Sequence, residues 1–189
     1  MSSYKSILTI AWFVVGVGIA IAQEGSSTQA TAPASKEHQW LHQFVGDWEI
    51  SADAITDPNQ PSSNASGRET ARLLGENWVV GEGSFEMPSG PPMTFILTLG
   101  YDPSKKKYVG SWICSHMPVQ WVYEGTVNES GKTLTLEAEG PNPSLDGKIS
   151  KFREAIEFKD KDHRVHTSFI LGDDGNWTSF ETVNYRRKK

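Results

Sequence analysis

From residue 46 onward the chain reads as about ten short segments in which apolar and polar residues alternate, with turn chemistry at intervals of roughly 8 to 12 residues and no amphipathic helix between them. TLTLEAEG puts Leu134, Leu136 and Ala138 on one face and Thr133, Thr135 and Glu137 on the other. MTFILTLGY does the same with Met93, Phe95, Leu97 and Leu99. The remaining segments are DWEISADAI, RETARLL, NWVVGEGSFEM, KYVGSWICSHM, VQWVYEGTV, ISKFREAIEF, HRVHTSFIL and WTSFETVNYR. Their joints are Gly75-Glu76, Asp102-Pro103, a turn near Pro118, NESGK, DKD and DDGN, with one long polar loop around Asn59 placed to cover a barrel mouth. Parallel pairing would require crossovers of a dozen residues or more, so the strands are expected to be antiparallel. Hairpin-length links favour an up-and-down barrel over a Greek key, and closure removes the exposed edges.

The N-terminus carries a separate pattern. Ile7 to Ala22 is almost wholly apolar, Lys5 precedes it, and Ala20-Ile21-Ala22 offers the small-x-small motif of a cleavage site. This predicts a secretory leader over 1–22, cut after Ala22, and a periplasmic or secreted product. An uncleaved anchor is the rival reading, for which the apolar run is short. Residues 23–35 lack large apolar side chains and read as a disordered linker. A single domain is expected over 36–189. It opens with a short helix in KEHQWLHQFVG, with Ser35 as N-cap, Trp40, Leu41 and Phe44 at helical spacing, and Gly46 beyond the end.

The net charge is −5, and loss of Lys5 with the leader makes the product one unit more acidic. That argues against nucleic acid or anionic membranes as partners. The basic YRRKK end is short and reads as a solvated terminus. Cys114 is the only cysteine, so no internal disulfide forms and the fold rests on its core. Seven Trp, six of them beyond residue 22, point to a large aromatic interior.

Trp112, Cys114 and His116 are spaced to share a face of one strand, and Trp121 and Tyr123 share a face of the next. Paired, they would form an aromatic wall for a small molecule; the plainer reading is that the aromatics are core. Glu154 falls between Phe152 and Ile156 on an apolar face, where an unpaired carboxylate is costly. It must meet a wet cavity or pair with Arg153, Arg164 or Arg186. Glu181 shares a face with Trp177, Ser179, Val183 and Tyr185, opposite Phe180, and would complete an acid–base pair if both carboxylates point inward. His38 and His42 are four apart on the helix, but Gln39 stands where a zincin needs Glu and no third ligand is evident, so no metal is expected. His163 and His166 are three apart and face opposite sides of their strand. Cys114 lacks an activating partner and reads as structural. No nucleophile elbow, phosphate loop or dinucleotide fingerprint occurs.

Gly46-Asp47-Trp48, placed just after the helix, resembles the G-x-W motif of lipocalins, in which the Trp plugs the closed end and a late Arg packs on it. Arg186, or its neighbour Arg187, would be that Arg here. Several blocks between His38 and Arg187 resemble, in order, a mostly bacterial family known as domain of unknown function 1579. They are EHQWLHQFVGDWE, LTLGYDPSKKKYVGSWI, WVYEGTVNESGKTLTLEAEGP, FREAIEFKDKDHRVHT and the final YRR. The resemblance implies a calycin-like barrel, exported or cytosolic, and implies no activity. Nitrobindin-like barrels would imply haem as a cofactor with His116 as its axial ligand, but the lone His has no supporting motif. Three expectations follow. One is a ligand-binding barrel whose pocket comprises Trp112, His116, Trp121, Tyr123 and Glu154. The second is an enzyme using carboxylates or His at the barrel mouth. The third is an interaction module with a filled core.

Overall fold

The computed structural model describes residues 35–53, 66–87 and 89–189; the expected leader, its linker and the loop around Asn59 lie outside the described residues. Helix α1 spans Lys36–Leu41 and runs into a 3-10 turn over His42–Phe44. Ser35 caps it as its position predicts: its backbone is extended and its side chain accepts from the His38 backbone N–H. Leu41 and Phe44 are fully buried beneath this segment.

Ten strands follow: β1 (Gly46–Asp53), β2 (Ser66–Leu74), β3 (Trp78–Phe85), β4 (Met93–Asp102), β5 (Lys107–Cys114), β6 (Met117–Val127), β7 (Thr133–Pro141), β8 (Ile149–Asp160), β9 (His163–Leu171) and β10 (Trp177–Arg187). Each pairs antiparallel with its neighbours in sequence, and β1 pairs with β10 to close the barrel, with Ile50 opposite Tyr185. The fold is thus all-β, an up-and-down barrel with one short N-terminal helix.

Two local departures matter. The β5–β6 turn comes earlier than Pro118 suggests, at Ser115-His116. Ser115 is held to β4 by reciprocal bonds: its N–H donates to Thr94 O at 2.8 Å, and its Oγ accepts from the Thr94 N–H at 3.1 Å. That anchor holds the turn against β4. The register of β10 against β9 also shifts between Ser179 and Glu181. Such a bulge turns consecutive side chains toward the same side.

Helix α1 and the 3-10 turn plug one end of the barrel. The Trp40 indole N–H donates to Gly131 O in the β6–β7 turn, and the Tyr108 hydroxyl donates to Glu37 O. Trp40 meets Phe44, Tyr108 and Phe158 edge-on at 6.0, 5.5 and 5.7 Å between centroids. Each such pair adds about 0.5–1.5 kcal/mol beyond area burial.

Trp48 sits at the centre of the plug, its indole N–H donating to Phe44 O at 2.7 Å. Two guanidiniums lie over its ring, Arg187 at 4.2 Å and Arg164 at 4.8 Å. Arg186, the expected partner, is exposed instead. Strand alternation explains the correction, because Tyr185 points inward, Arg186 outward, and Arg187 curls back over the plugged end. Arg187 there donates to the carbonyls of Val45, Gln43 and Lys161. Gly46 has φ +133°, and a Cβ on it would collide with the Arg187 guanidinium. The first residue of the G-x-W motif is therefore set by backbone conformation and by the arginine together.

Candidate functional site

The plug occupies only one end. The other end, where the β3–β4, β5–β6, β7–β8 and β9–β10 connections lie, keeps a cavity of about 460 Å³. That is within the range of small-molecule sites. Two aromatic ladders line it. On one, Phe85 lies 5.5 Å from Phe95, and Phe95 stacks on Trp112 at 6.2 Å. On the other, Trp121 meets Phe152 edge-on at 4.8 Å, and Phe152 meets Phe180 at 6.2 Å. Gly140 lies under Trp121, where a Cβ would strike the indole. The ring can therefore lie flat against β7.

The polar groups come from β2, β8, β9 and β10. Alternation sends Phe152, Glu154, Ile156 and Phe158 of β8 inward, all buried. Glu154 Oε2 accepts from Ser168 Oγ at 2.5 Å and from His166 Nε2 at 2.8 Å. These bonds offset the cost of burying the carboxylate. Glu181 stands nearby, and burial raises its carboxyl above the usual range; the Glu154 charge adds to the rise and His166 opposes it. Tyr123 is also buried, which holds its hydroxyl well above the ordinary phenol value, with Glu154 contributing.

Below this cluster lies a buried ion pair, in which Arg164 Nη2 donates to Glu69 Oε1 at 2.6 Å and both side chains are at most 2% exposed. Arg164 also lies over Phe44 and Tyr185, and its Nε has no hydrogen-bond partner among the described residues. The pair separates plug from cavity: Glu69 lines the cavity, while Arg164 faces the plug aromatics.

Of the residues singled out in the sequence, Trp112, Trp121, Tyr123 and Glu154 all line this cavity. His116 does not; it is exposed in the β5–β6 turn. The expected face of Trp112, Cys114 and His116 is broken by a register shift after Trp112. Cys114 packs against the core without lining the cavity. Glu181 and Phe180, expected on opposite faces, both line it because of the β10 bulge. His38 is bonded through Nδ1 to Ser35 Oγ, and His163 through Nε2 to Asn184. Among the described residues no group of three His, Cys, Asp or Glu is arranged to hold a metal.

Sequence reasoning passed over Glu69, Arg164 as its partner, and the pairing of His166 and Ser168 with Glu154. A signal for the last was present: Arg164, His166 and Ser168 put three polar side chains in succession on one face of β9.

A family model described as "Protein of unknown function (DUF1579)" matches residues 33–187. No curated protein matches. Among solved structures, the Rv2717c protein from M. tuberculosis is similar with a TM-score of 0.58 and 12% identity, over 82% of this chain and 99% of that one. The S-type phycobiliprotein lyase CPES from Guillardia theta has a TM-score of 0.50 and 16% identity, over 80% of this chain and 92% of that one. At these identities the likeness is one of fold.

Proposed function

We propose, from the premise that this chain belongs to the DUF1579 family of proteins of unknown function, that it is an exported, non-enzymatic barrel that binds one small, partly apolar molecule. The observation that carries the reading is the 460 Å³ cavity with aromatic walls and a few converging polar groups. The ligand's apolar body lies against Trp112 and Trp121, and its polar group meets Glu154 near Tyr123. An interaction module with a filled core loses its main premise, since the interior holds this space.

Native mass spectrometry of the protein purified from its own host tests the reading. An added mass that disappears on denaturation, and is lost in Trp112→Ala, supports it. A clean apo mass, with no small molecule retained from a host extract, refutes it. The same sample tests export: the mature chain should begin at Gln23.

One observation favours a second reading. Glu181 is held above the usual carboxylate range beside Glu154 and His166, which is how a general acid is paired with a base. On that reading Glu181→Gln abolishes turnover of the cavity's occupant while leaving its binding intact.

A further inference from the structure

The charges that line the cavity are one-sided. Among the described residues its ionisable carboxyl groups are Glu69, Glu154 and Glu181, its only basic side chain is His166, and no Lys or Arg lines it. Arg164, which neutralises Glu69, is turned toward the rings of Phe44, Trp48 and Tyr185 and does not line the space. His166 and Ser168 are already engaged with one oxygen of Glu154. Glu181 is largely buried at the bulge, and the neighbours acting on it are Glu154 and His166. The rest of the lining is largely apolar, with Phe95, Trp112, Trp121, Phe152 and Phe180 interspersed among aliphatic side chains.

The geometry points to an organic cation as the natural occupant: a molecule with an aromatic or aliphatic body and one protonated amine or quaternary ammonium group. This rests on the ligand-binding reading and narrows it to a chemical class. Carboxylates inside a low-dielectric cavity attract a cation and repel an anion far more strongly than in water. Aromatic faces add a cation–π attraction that anions and neutral groups do not receive. The ammonium end is placed between Glu181 and Glu154, with Phe152 and Phe180 beside it, and the body lies along Trp112 and Trp121. An acid such as a fatty acid would put its carboxylate against two others with no arginine to receive it.

A matched set of probes on one body makes the test: 1-naphthylmethylamine, 1-naphthylmethanol and 1-naphthoate, titrated calorimetrically into the protein without its residues 1–22. The expected order is amine tightest, alcohol about tenfold weaker, a difference of about 1.4 kcal/mol, and the anion weakest. Glu181→Gln should bring the amine down to the alcohol while moving the alcohol less than about twofold. A pH series on the unmutated protein checks the same point without a variant. Amine affinity should fall as the pH drops through the raised titration of Glu181, with Glu154 and His166 as the groups facing it and Tyr185 four residues further along β10. Tightest binding by the alcohol or the anion overturns the cationic assignment and leaves the ligand-binding reading standing. An amine preference unchanged in Glu181→Gln and flat across pH also overturns it. Binding of none of the three overturns both.

Discussion

The two ends of the barrel use the same strands for opposite purposes. At the plugged end the inward residues interlock with α1 and the turn after it: Leu41, Phe44, Trp48, Leu99 and Leu134 are each at most 1% exposed. At the hollow end the inward residues include Phe95, Trp112, Trp121 and Phe152, yet they surround space. Trp112 and Trp121 are only partly buried. The difference lies in what fills the centre. A helical segment occupies one mouth, whereas at the other the described residues of the β5–β6 and β7–β8 connections, Met117, Pro118, Pro143 and Gly147, line the space without filling it. Interiors normally pack to crystal-like density. Aromatic rings held in ladders around a void are therefore more informative about function than the well-packed plug is.

If that contrast is right, substitutions should separate by end. The largest losses belong to the plug and its boundary. Arg164→Met alone strands the Glu69 carboxylate in the interior and should cost about 3–5 kcal/mol in urea unfolding. The double variant with Glu69→Leu should recover most of it, since no charge is left unpaired. Trp48→Ala should cost a similar amount, roughly 3–5 kcal/mol, through the cavity it opens and the loss of both stacked guanidiniums.

Trp112→Ala, a change of the same size at the hollow end, should cost only about 1 kcal/mol because little packed area is lost. It should weaken a bound ligand by about tenfold, read by calorimetry. Equal stability losses for Trp48→Ala and Trp112→Ala would break the comparison, and would mean that the cavity collapses in solution.

The smallest effect has the opposite sign. The Glu181 carboxyl titrates above its value of 4.5 in the unfolded chain because burial disfavours its charge. The folded state therefore favours the protonated form, and stability declines as pH rises through the raised value. Glu181→Gln should raise the melting temperature slightly at neutral pH. The gain should shrink as pH falls through the raised value and vanish below 4.5. A gain that persists in acid would show that ionisation is not its source.

The fold was legible because alternation and turn chemistry are local. Leu134, Leu136 and Ala138 announce their face without reference to any other strand, and Asn128 marks its turn by accepting from the Lys132 and Thr133 N–H groups. The site was legible only where alternation ran unbroken. Trp112, Trp121, Tyr123 and Glu154 lie in regular stretches. His116 was misplaced because the register against β6 shifts after Trp112 and the chain turns at Ser115-His116, which is information held by the pairing with another strand. Glu181 and Phe180 were divided between faces because a bulge has no sequence signature here. Arg164 and Glu69 are brought together by barrel closure, across ninety-five positions of sequence, and no local pattern can announce such a pair. The choice of Arg187 over Arg186 follows from alternation along β10, whose phase is set by the buried Val183 and Tyr185.

The seam between β1 and β10 also orders events in time. Strands β3 to β10 can each add to their predecessor by a short link, but β1 receives its second partner only when the segment ending at Arg187 is available. Until then both outer strands carry rows of unpaired N–H and C=O groups, and Trp48 lacks one of its two cations. Long-range closure of this kind is slow, because most of the chain must be ordered before the contact forms. A molecule caught before sealing is an open sheet with two free edges, and the strand that satisfies such an edge can come from another copy as readily as from its own tail. Ring closure is thus the step that removes both free edges at once, and the last few residues before Lys188 decide it.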